Sequence, residues 1–226
     1  MTTILITGTN RGIGLELARQ ALGKGWTVYG SARALVTDPE AHICAHGNFH
    51  DLVFDVTDHG AVRAAAASID APIDILINNA GVIGPGRQST LEMDFEGFAR
   101  TLAVNTMAPL AVTQAFLPHL KRSDHARVLS ISSLMGSMSH ASSDRIAYRA
   151  SKAGLNKVMQ ALATDLKPLG IAVATLHPGW VRTDMGGAGA AVAPEASAAG
   201  ILRIAEGLTL GGTGRFHTWD GSDVAW

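Results

Sequence analysis

Few features of a secreted, membrane-spanning or nucleic-acid-binding protein are present in this sequence. Cys44 is the single cysteine among 226 residues, which excludes an internal disulfide framework and favours a reducing compartment. The formal net charge of −1 argues against a nucleic-acid partner, which usually requires a basic excess. No apolar run approaches the roughly 20 residues of a membrane helix, and the N-terminus lacks the pattern of a signal peptide. We therefore expect a cytoplasmic protein without a membrane partner.

The residues that are abundant predict a globular α/β protein. Hydrophobic residues make up 47% of the chain and charged residues 16%, enough to bury a continuous core in one domain spanning residues 1–226. Short runs of Val, Ile and Leu alternate with longer amphipathic segments. Because the runs lack polar alternation, they are typical of parallel strands that are covered on both faces. The sequence thus predicts a single-domain Rossmann fold: a doubly wound, mostly parallel sheet of about seven strands with helices on both faces.

The element bounds follow from the same pattern. The predicted strands are Ile4–Thr7, Thr27–Ser31, Leu52–Asp55, Ile73–Asn78, Arg127–Ser132, Ile171–His177 and Arg215–Trp219. The predicted helices are Ile13–Gly23, Asp58–Ile69, Phe95–Leu120, Tyr148–Leu166 and Pro194–Leu208.

A glycine-rich turn, Thr7–Gly14, follows the first predicted strand and leads directly into a helix pattern. Its glycines permit a tight turn and a close approach of the backbone to a phosphate group. The helix N-terminus adds free N–H groups and a partial positive charge. Three residues separate Gly8 from Gly12, so the turn is wider than the G-x-G-x-x-G fingerprint. Its place between strand and helix predicts a dinucleotide site.

Two arginines indicate which nicotinamide cofactor is preferred. Sites for NAD usually place Asp or Glu at the end of the second strand, where it holds the ribose 2′-hydroxyl. This sequence has Arg33 there, and Arg11 lies within the glycine turn. Two guanidinium groups can grip a 2′-phosphate with charge-assisted hydrogen bonds. The alternative is that both arginines are solvated surface residues. We favour NADPH/NADP+ over NADH.

Further motifs follow the glycine turn along the chain. In chain order, the motifs are Thr7–Gly14, Asp55-Val56, Asn78-Asn79-Ala80-Gly81, Asn105, Ser133, Tyr148-x-x-x-Lys152 and Pro178-Gly179-x-Val181-x-Thr183. Together they make the sequence similar to short-chain dehydrogenases/reductases over essentially its full length. The short length and the ending Gly214–Trp226 are most similar to the C-factor-like and sniffer-type carbonyl reductases.

The resemblance implies hydride transfer between NADP(H) and a small carbonyl compound or secondary alcohol. Tyr148 would protonate the developing alkoxide, and Lys152 would lower the pKa of that tyrosine and hold the nicotinamide ribose. Ser133 would donate to the substrate carbonyl, and Asn105 would fix a water that links Lys152 to solvent. The resemblance also implies a homodimer or homotetramer. The alternative is a non-catalytic NADP(H)-binding sensor or a C-factor-like signalling protein.

The spacing of Tyr148 and Lys152 agrees with these roles. Residues four apart on a helix share a face one turn apart. A tyrosine has a pKa of about 10, and lowering it to neutrality requires about 4 kcal/mol. An ammonium about 4 Å away supplies roughly that energy at an effective dielectric near 20. We therefore expect Lys152 to make the phenol of Tyr148 acidic.

The cofactor contacts implied by the resemblance run along the whole chain. Asp55 and Val56 would contact adenine, and the segment after the fourth strand would line the adenosine-side ribose. Val181 and Thr183 would contact the carboxamide. The predicted cofactor-binding residues are Gly8, Asn10, Arg11, Gly12, Ile13, Gly14, Arg33, Asp55, Val56, Asn79, Ala80, Gly81, Tyr148, Lys152, Pro178, Gly179, Val181 and Thr183.

Several residues have a second interpretation. Only one of Ser132 and Ser133 can face the site, because a strand alternates its faces, and the family's S-x-x-G pattern favours Ser133. Asn78 could be a buried structural residue rather than a contact, and Asn105 could be a structural asparagine that breaks a long helix. A zinc site could be formed by His42, His46 and His50 with Cys44. Gly47 and Asn48 weaken the helix that such a site needs, so we predict a solvated connector and no metal.

Overall fold

A sheet of seven parallel strands is the centre of the computed structural model, which describes residues 1–34, 43, 46–139 and 141–226. The spatial order of the strands is β3-β2-β1-β4-β5-β6-β7. The strands are β1 (Thr3–Thr7), β2 (Thr27–Ala32), β3 (Phe49–Val53), β4 (Ile75–Asn78), β5 (Arg127–Ile131), β6 (Ala172–His177) and β7 (Arg215–Thr218). The α-helices are α1 (Gly12–Gly23), α2 (His59–Ala67), α3 (Phe95–Leu102), α4 (Ala108–Leu120), α5 (Ile146–Leu166) and α6 (Pro194–Gly207).

Helices cover both faces of the sheet and bury its apolar residues. On one face, Leu17 of α1 and Ile201 of α6 are fully buried against the strands. On the other face, Val62 of α2, Phe116 of α4 and Leu155 of α5 fill a second apolar cluster. This double cover explains why the central strands are apolar throughout rather than alternating. The predicted doubly wound fold is confirmed, and every strand pair in the described sheet is parallel.

Two predicted elements differ from the structure by more than one or two residues at an end. Strand β3 is Phe49–Val53 rather than Leu52–Asp55, with Phe49 opposite Val28 of β2. It is an edge strand with exposed residues, so its apolar pattern is weak. The predicted helix Phe95–Leu120 is interrupted by a π-helical turn at Ala103–Met107. Such turns concentrate at functional sites, and the apolar content of a segment does not reveal them.

The histidine-rich connector precedes β3. His42 and Cys44 lie outside the described residues. His46 lies in a turn and His50 lies in β3, where its ring stacks on Tyr29 at 4.9 Å, so the two do not share a helical face. Within the described parts of the chain, no group of three His, Cys, Asp or Glu side chains is arranged to hold a metal ion. None of the helices in these parts is long and apolar enough to cross a membrane.

Candidate active site

A cavity of about 500 Å³ opens at the carboxyl ends of the central strands. It lies beside β1 and β4, where the order of strands along the chain reverses, which is the usual ligand site of doubly wound sheets. Most of the predicted cofactor-binding residues line it: Gly8, Asn10, Arg11, Gly12, Ile13, Arg33, Asp55, Val56, Asn79, Ala80, Gly81, Tyr148, Lys152, Pro178 and Thr183. The predicted residues that do not line it are Gly14, Asn105, Ser133, Gly179 and Val181.

The glycine turn forms one wall of the cavity. Gly8 and Gly12 have φ angles of 76° and 57°, a region that favours glycine. Gly14 is packed from behind, since a Cβ there would lie 2.0 Å from the carbonyl oxygen of Gly8. Within the described residues, no side chain caps α1 at Arg11, so the N–H groups of its first turn are left to bind an anion.

Asn79 connects the glycine turn to the end of β4. Its side-chain Nδ2 donates to the carbonyl oxygens of Thr7 at 2.9 Å and Gly8 at 3.1 Å. The Thr7 hydroxyl in turn accepts from the main-chain N–H groups of Asn79 and Ala80, both at 3.0 Å. Thr7 thus fixes two of the segments that line the cavity. It was not among the predicted site residues, although its hydroxyl beside Gly8 could have suggested such a link.

The outer rim of the cavity carries charged side chains. Arg11 pairs with Asp184 at 2.8 Å, and both side chains are largely exposed, at 66% and 77%. Arg33 is exposed at the same rim. The pKa of Asp55 is lowered, first by the N–H and hydroxyl of Thr57 and also by the charge of Arg33. The structure therefore brings both predicted arginines to one cavity, and it adds Asp184, which the sequence analysis missed.

The inner end of the cavity is formed by Tyr148 and Lys152 on the first turns of α5. Their exposures are only 9% and 4%. The Nζ atom of Lys152 donates to the carbonyl oxygen of Ile131 at 2.7 Å and lies 5.7 Å from the centre of the Tyr148 ring. Burial lowers the pKa of Lys152 to about 8. The pair therefore shares one helical face and one end of the cavity, as its spacing indicated.

The predicted lowering of the Tyr148 pKa is wrong in this geometry. Burial raises the pKa of Tyr148, while the hydrogen bond with Ser133 and the charge of Arg145 oppose the rise without cancelling it. Burial disfavours a phenolate more than these groups favour it, and the ammonium of Lys152 is directed to Ile131. Tyr148 is accordingly a protonated phenol at neutral pH.

The two adjacent serines point in different directions. The Ser132 hydroxyl donates to Asn156 Oδ1 at 2.5 Å, so it is occupied on α5. The Ser133 hydroxyl shares a hydrogen bond with Tyr148 and accepts from the N–H of Met135 at 3.2 Å. Ser132 borders the cavity, but the hydroxyl beside the phenol belongs to Ser133. This agrees with the choice of Ser133 from the S-x-x-G pattern.

Asn105 is fully buried within the π-helical turn. Its Nδ2 donates to Val82 O at 2.8 Å and to Ser151 Oγ at 2.9 Å, and its Oδ1 accepts from Val82 N at 2.9 Å. Both amide hydrogens are used within the protein, so any water held by this side chain must bond to the remaining lone pair of Oδ1. Asn105 clamps Val82 beside α5. Asn78 also has a structural role, because its buried Nδ2 donates to the hydroxyl groups of Thr113 and Ser130.

The segment after β6 closes the cavity on the remaining side. Gly179 has a φ of 86°, and a Cβ there would lie 2.9 Å from Val192. Val181 is buried and forms a parallel bridge with Val192 rather than lining the cavity. The methyl group of Thr183 packs against Gly12, 3.3 Å from where a Cβ would stand. Of the four contacts predicted in this segment, Pro178 and Thr183 line the cavity, and Gly179 and Val181 do not.

Gln88 is a further polar residue that the sequence analysis missed. It is buried and accepts a hydrogen bond from the main-chain N–H of Tyr148 at 3.1 Å. It lies in the loop after β4, 60 residues before the tyrosine. No local pattern in the sequence distinguishes this glutamine from one on the surface.

Comparisons with known proteins identify relatives of this chain. The family model described as short chain dehydrogenase matches residues 2–191. The C-signal protein of Myxococcus xanthus is 41% identical over 167 residues, covering 73% of this chain and all of that protein. The NADPH-bound carbonyl reductase from chicken fatty liver has a TM-score of 0.92 at 30% identity, covering 100% of this chain and 99% of that one.

The carbonyl reductase Sniffer of D. melanogaster also has a TM-score of 0.92, at 31% identity over the full length of both chains. The ordered motifs, the sheet topology and these matches lead to one assignment. The chain belongs to the short-chain dehydrogenase/reductase family of oxidoreductases.

Proposed function

We propose that this chain is an NADP(H)-dependent carbonyl reductase in which Tyr148 is the general acid. The observation that carries the proposal is the placement of the Tyr148 phenol beside the Ser133 hydroxyl, at the inner end of a cavity whose outer rim has the glycine turn and two arginines. Solved structures of similar carbonyl reductases contain NADPH or NADP, which supports the cofactor assignment.

The residues of the cavity fit a dinucleotide phosphate. The uncapped first turn of α1 and the Gly8–Gly12 backbone would hold the pyrophosphate. Arg33 and Arg11 would bind the 2′-phosphate, which is the group that distinguishes NADPH from NADH. When bound, the cofactor supplies the hydride that reduces the carbonyl carbon. Asp55 and Val56 line the cavity near Arg33, where the adenine would lie.

The inner residues then handle the proton. As the carbonyl oxygen gains negative charge, the protonated phenol of Tyr148 gives it a proton and the hydroxyl of Ser133 donates a hydrogen bond, so the product is an alcohol. The ammonium of Lys152 is charged below its pKa of about 8 and lies 5.7 Å from the centre of the Tyr148 ring, so it would offset part of the cost of the phenolate that is left. Solvent restores the proton of the phenol. The raised pKa of Tyr148 keeps the proton on the phenol at neutral pH, so the proton is present for this step.

A signalling role is the second candidate, because the C-signal protein is 41% identical over most of this chain. A protein that binds NADP(H) without turnover has no need of a buried amine beneath a buried phenol, since a buried charge is costly. The retained Tyr148, Lys152 and Ser133 therefore favour an enzyme.

One assay separates the two candidates. NADPH and a panel of aldehydes and ketones are mixed with the protein, and the loss of cofactor absorbance is followed for the parent and for Tyr148→Phe. We expect turnover by the parent, a loss of about 10²–10⁴-fold in the variant, and similar NADPH binding by both. Binding without turnover by the parent across the panel would favour the signalling role.

The proposal extends to the assembly of the protein. We propose one domain over residues 1–226 that forms a cytoplasmic homodimer or homotetramer. Exposed apolar residues near α3 and α4, among them Phe95 and Met107, support a subunit contact. Light scattering would give the subunit number, and cell fractionation would give the location.

A further inference from the structure

The first turn of α5, which carries Tyr148, has no cap from its own segment. Arg145 stands at the N-cap position in a left-handed conformation, with φ 51° and ψ 46°, and within the described residues its side chain caps nothing. It is the one non-glycine residue with positive φ in these parts of the chain. The first N–H groups of a helix have no acceptors within the helix, and when buried they require acceptors from elsewhere.

Gln88 supplies these acceptors from a distant loop. Its main-chain oxygen accepts from Ile146 N at 3.0 Å, and its side-chain Oε1 accepts from Tyr148 N at 3.1 Å. Gln88 is 8% exposed, so these bonds are shielded from water. The helix that presents the phenol is thus held at its start by one residue outside it.

The Nε2 group of the Gln88 side chain holds the loop that contains Ile83 and Pro85. Nε2 of Gln88 donates to Ile83 O at 3.1 Å and to Pro85 O at 2.8 Å. The orientation of the amide is fixed, because the carbonyl oxygens can only accept and the N–H of Tyr148 can only donate. The absence of a side chain at Gly84 leaves space for the Gln88 amide. Gly84 has a φ of 90°, and a Cβ there would lie 3.1 Å from Gln88 Oε1.

The loop from Val82 to Gln88 is therefore held by hydrogen bonds from two side chains. Asn105 holds it at Val82, and Gln88 holds it at Ile83 and Pro85. Ile83, Pro85, Gln88 and Arg145 line a second cavity, of about 520 Å³, while Val82, the residue before Ile83, lines the first. A single amide thus connects the wall of this neighbouring cavity with the backbone of Tyr148.

We propose that Gln88 is a positioning residue that fixes the Tyr148 hydroxyl beside Ser133 and sets its distance from a bound carbonyl. The expected effect of Gln88 on turnover rests on the proposed function. Its effect on the position of Tyr148 rests on the geometry alone. A displacement of about 1 Å of a reacting group can cost about 10²-fold in rate, so loss of the amide should act on kcat.

The first test compares Gln88→Leu with Thr101→Val. Leucine is similar in size but makes no hydrogen bonds. Thr101 is buried beside Gly84 and bonds to Gly97 O, so its variant disturbs the packing of the same loop but leaves the hydrogen bonds of Gln88 in place. We expect kcat to fall about 100-fold in Gln88→Leu and less than about twofold in Thr101→Val, with NADPH binding retained in both. A folded Gln88→Leu with kcat within about threefold of the parent would overturn the proposal.

Gln88→Glu provides a test that does not depend on the leucine variant folding. A protonated carboxyl can accept from Tyr148 N and still donate to one of the carbonyl oxygens of Ile83 and Pro85, whereas an ionised carboxylate repels both. We expect its kcat to approach that of the parent near pH 5 and to fall about tenfold by about pH 7. The parent should be flat in that range, below the pKa of about 8 of Lys152. A flat profile for the variant would contradict a positioning role.

An NMR measurement separates failure of this inference from failure of the proposed function. The chain has two tyrosines, so isotope-labelled tyrosine gives two phenol signals, and Tyr148→Phe assigns them. We expect Gln88→Leu to move the Tyr148 signal and leave that of Tyr29 in place, whether or not a substrate is known. An unmoved Tyr148 signal would overturn the inference even if the parent reduces carbonyl compounds.

Discussion

The two ends of the main cavity differ in how far water reaches their charged groups. At the outer rim, Arg11, Arg33 and Asp184 are exposed, and their interactions are screened by solvent and salt. At the inner end, Tyr148 and Lys152 are buried, and burial is the first cause of the pKa shift of each. The outer end therefore suits recognition of a charged cofactor, and the inner end suits proton transfer. Because the causes differ, substitutions should affect binding and turnover separately.

The largest expected effect is at the inner end, with Lys152→Met. We expect kcat to fall at least about 100-fold, because the phenolate loses its ammonium partner. We also expect the variant to be about 1–2 kcal/mol more stable at neutral pH, measured by chemical denaturation. A fall in the pKa of the lysine from 10.5 to about 8 corresponds to a charging cost of about 3 kcal/mol, of which the lost bond to Ile131 O offsets part.

The sign of the pH dependence follows from the same shift. Between about pH 8 and 10.5 the unfolded chain binds a proton that the folded chain does not, so the parent should gain stability as pH rises through this window. Below about pH 8 the full charging cost is present. Lys152→Met should lack this rise, and a variant less stable than the parent at pH 7 would contradict a buried, costly ammonium.

At the outer end, Arg33→Gln tests recognition of the 2′-phosphate. We expect the Kd for NADPH to rise about 10–100-fold and that for NADH less than about twofold, since the lost bond is to a group that NADH lacks. Cofactor fluorescence titration would measure both. Arg63→Gln, at an exposed position of α2 away from the cavity, is the matched control. Equal losses for the two cofactors would remove the phosphate role of Arg33.

Gly14→Ala tests the glycine turn, which forms one wall of the cavity. The new Cβ would lie 2.0 Å from Gly8 O, so the turn must shift, and we expect a loss of about 1–3 kcal/mol in unfolding free energy together with weaker NADPH binding. Gly23→Ala, at the other end of α1, has nothing within 4 Å of its new Cβ and should be neutral or slightly stabilising. Denaturation of both variants measures the difference, and equal stability would contradict close packing of the turn.

The smallest effect is expected for Asp184→Asn. Removing the exposed partner of Arg11 should free that guanidinium and tighten NADPH binding by no more than about fivefold, and high salt should abolish the difference. Asp70→Asn, which breaks an exposed 3.0 Å pair with Arg122 far from the cavity, is the control. Weaker NADPH binding at low salt would mean that Asp184 supports the site rather than competes for Arg11.

Much of the fold and part of the site could be predicted from local patterns. The buried run Ile4–Ile6, followed by glycines and a helix, identifies β1, the turn and α1, because backbone conformation depends on neighbouring residues. Edge strand β3 was misplaced, because half-exposed strands have weak apolar patterns. The π-helical turn at Ala103–Met107 was missed, because one extra residue in a helical turn does not change the apolar content of the segment.

The amino-acid sequence by itself determined the parallel sheet, the glycine-rich turn and the shared helical face of Tyr148 and Lys152, since each depends on residues close together in the chain. Only the tertiary structure decided that Gln88 caps α5 and that burial raises the pKa of Tyr148. These features depend on desolvation and on partners up to 60 residues apart, which packing brings together and local spacing does not encode.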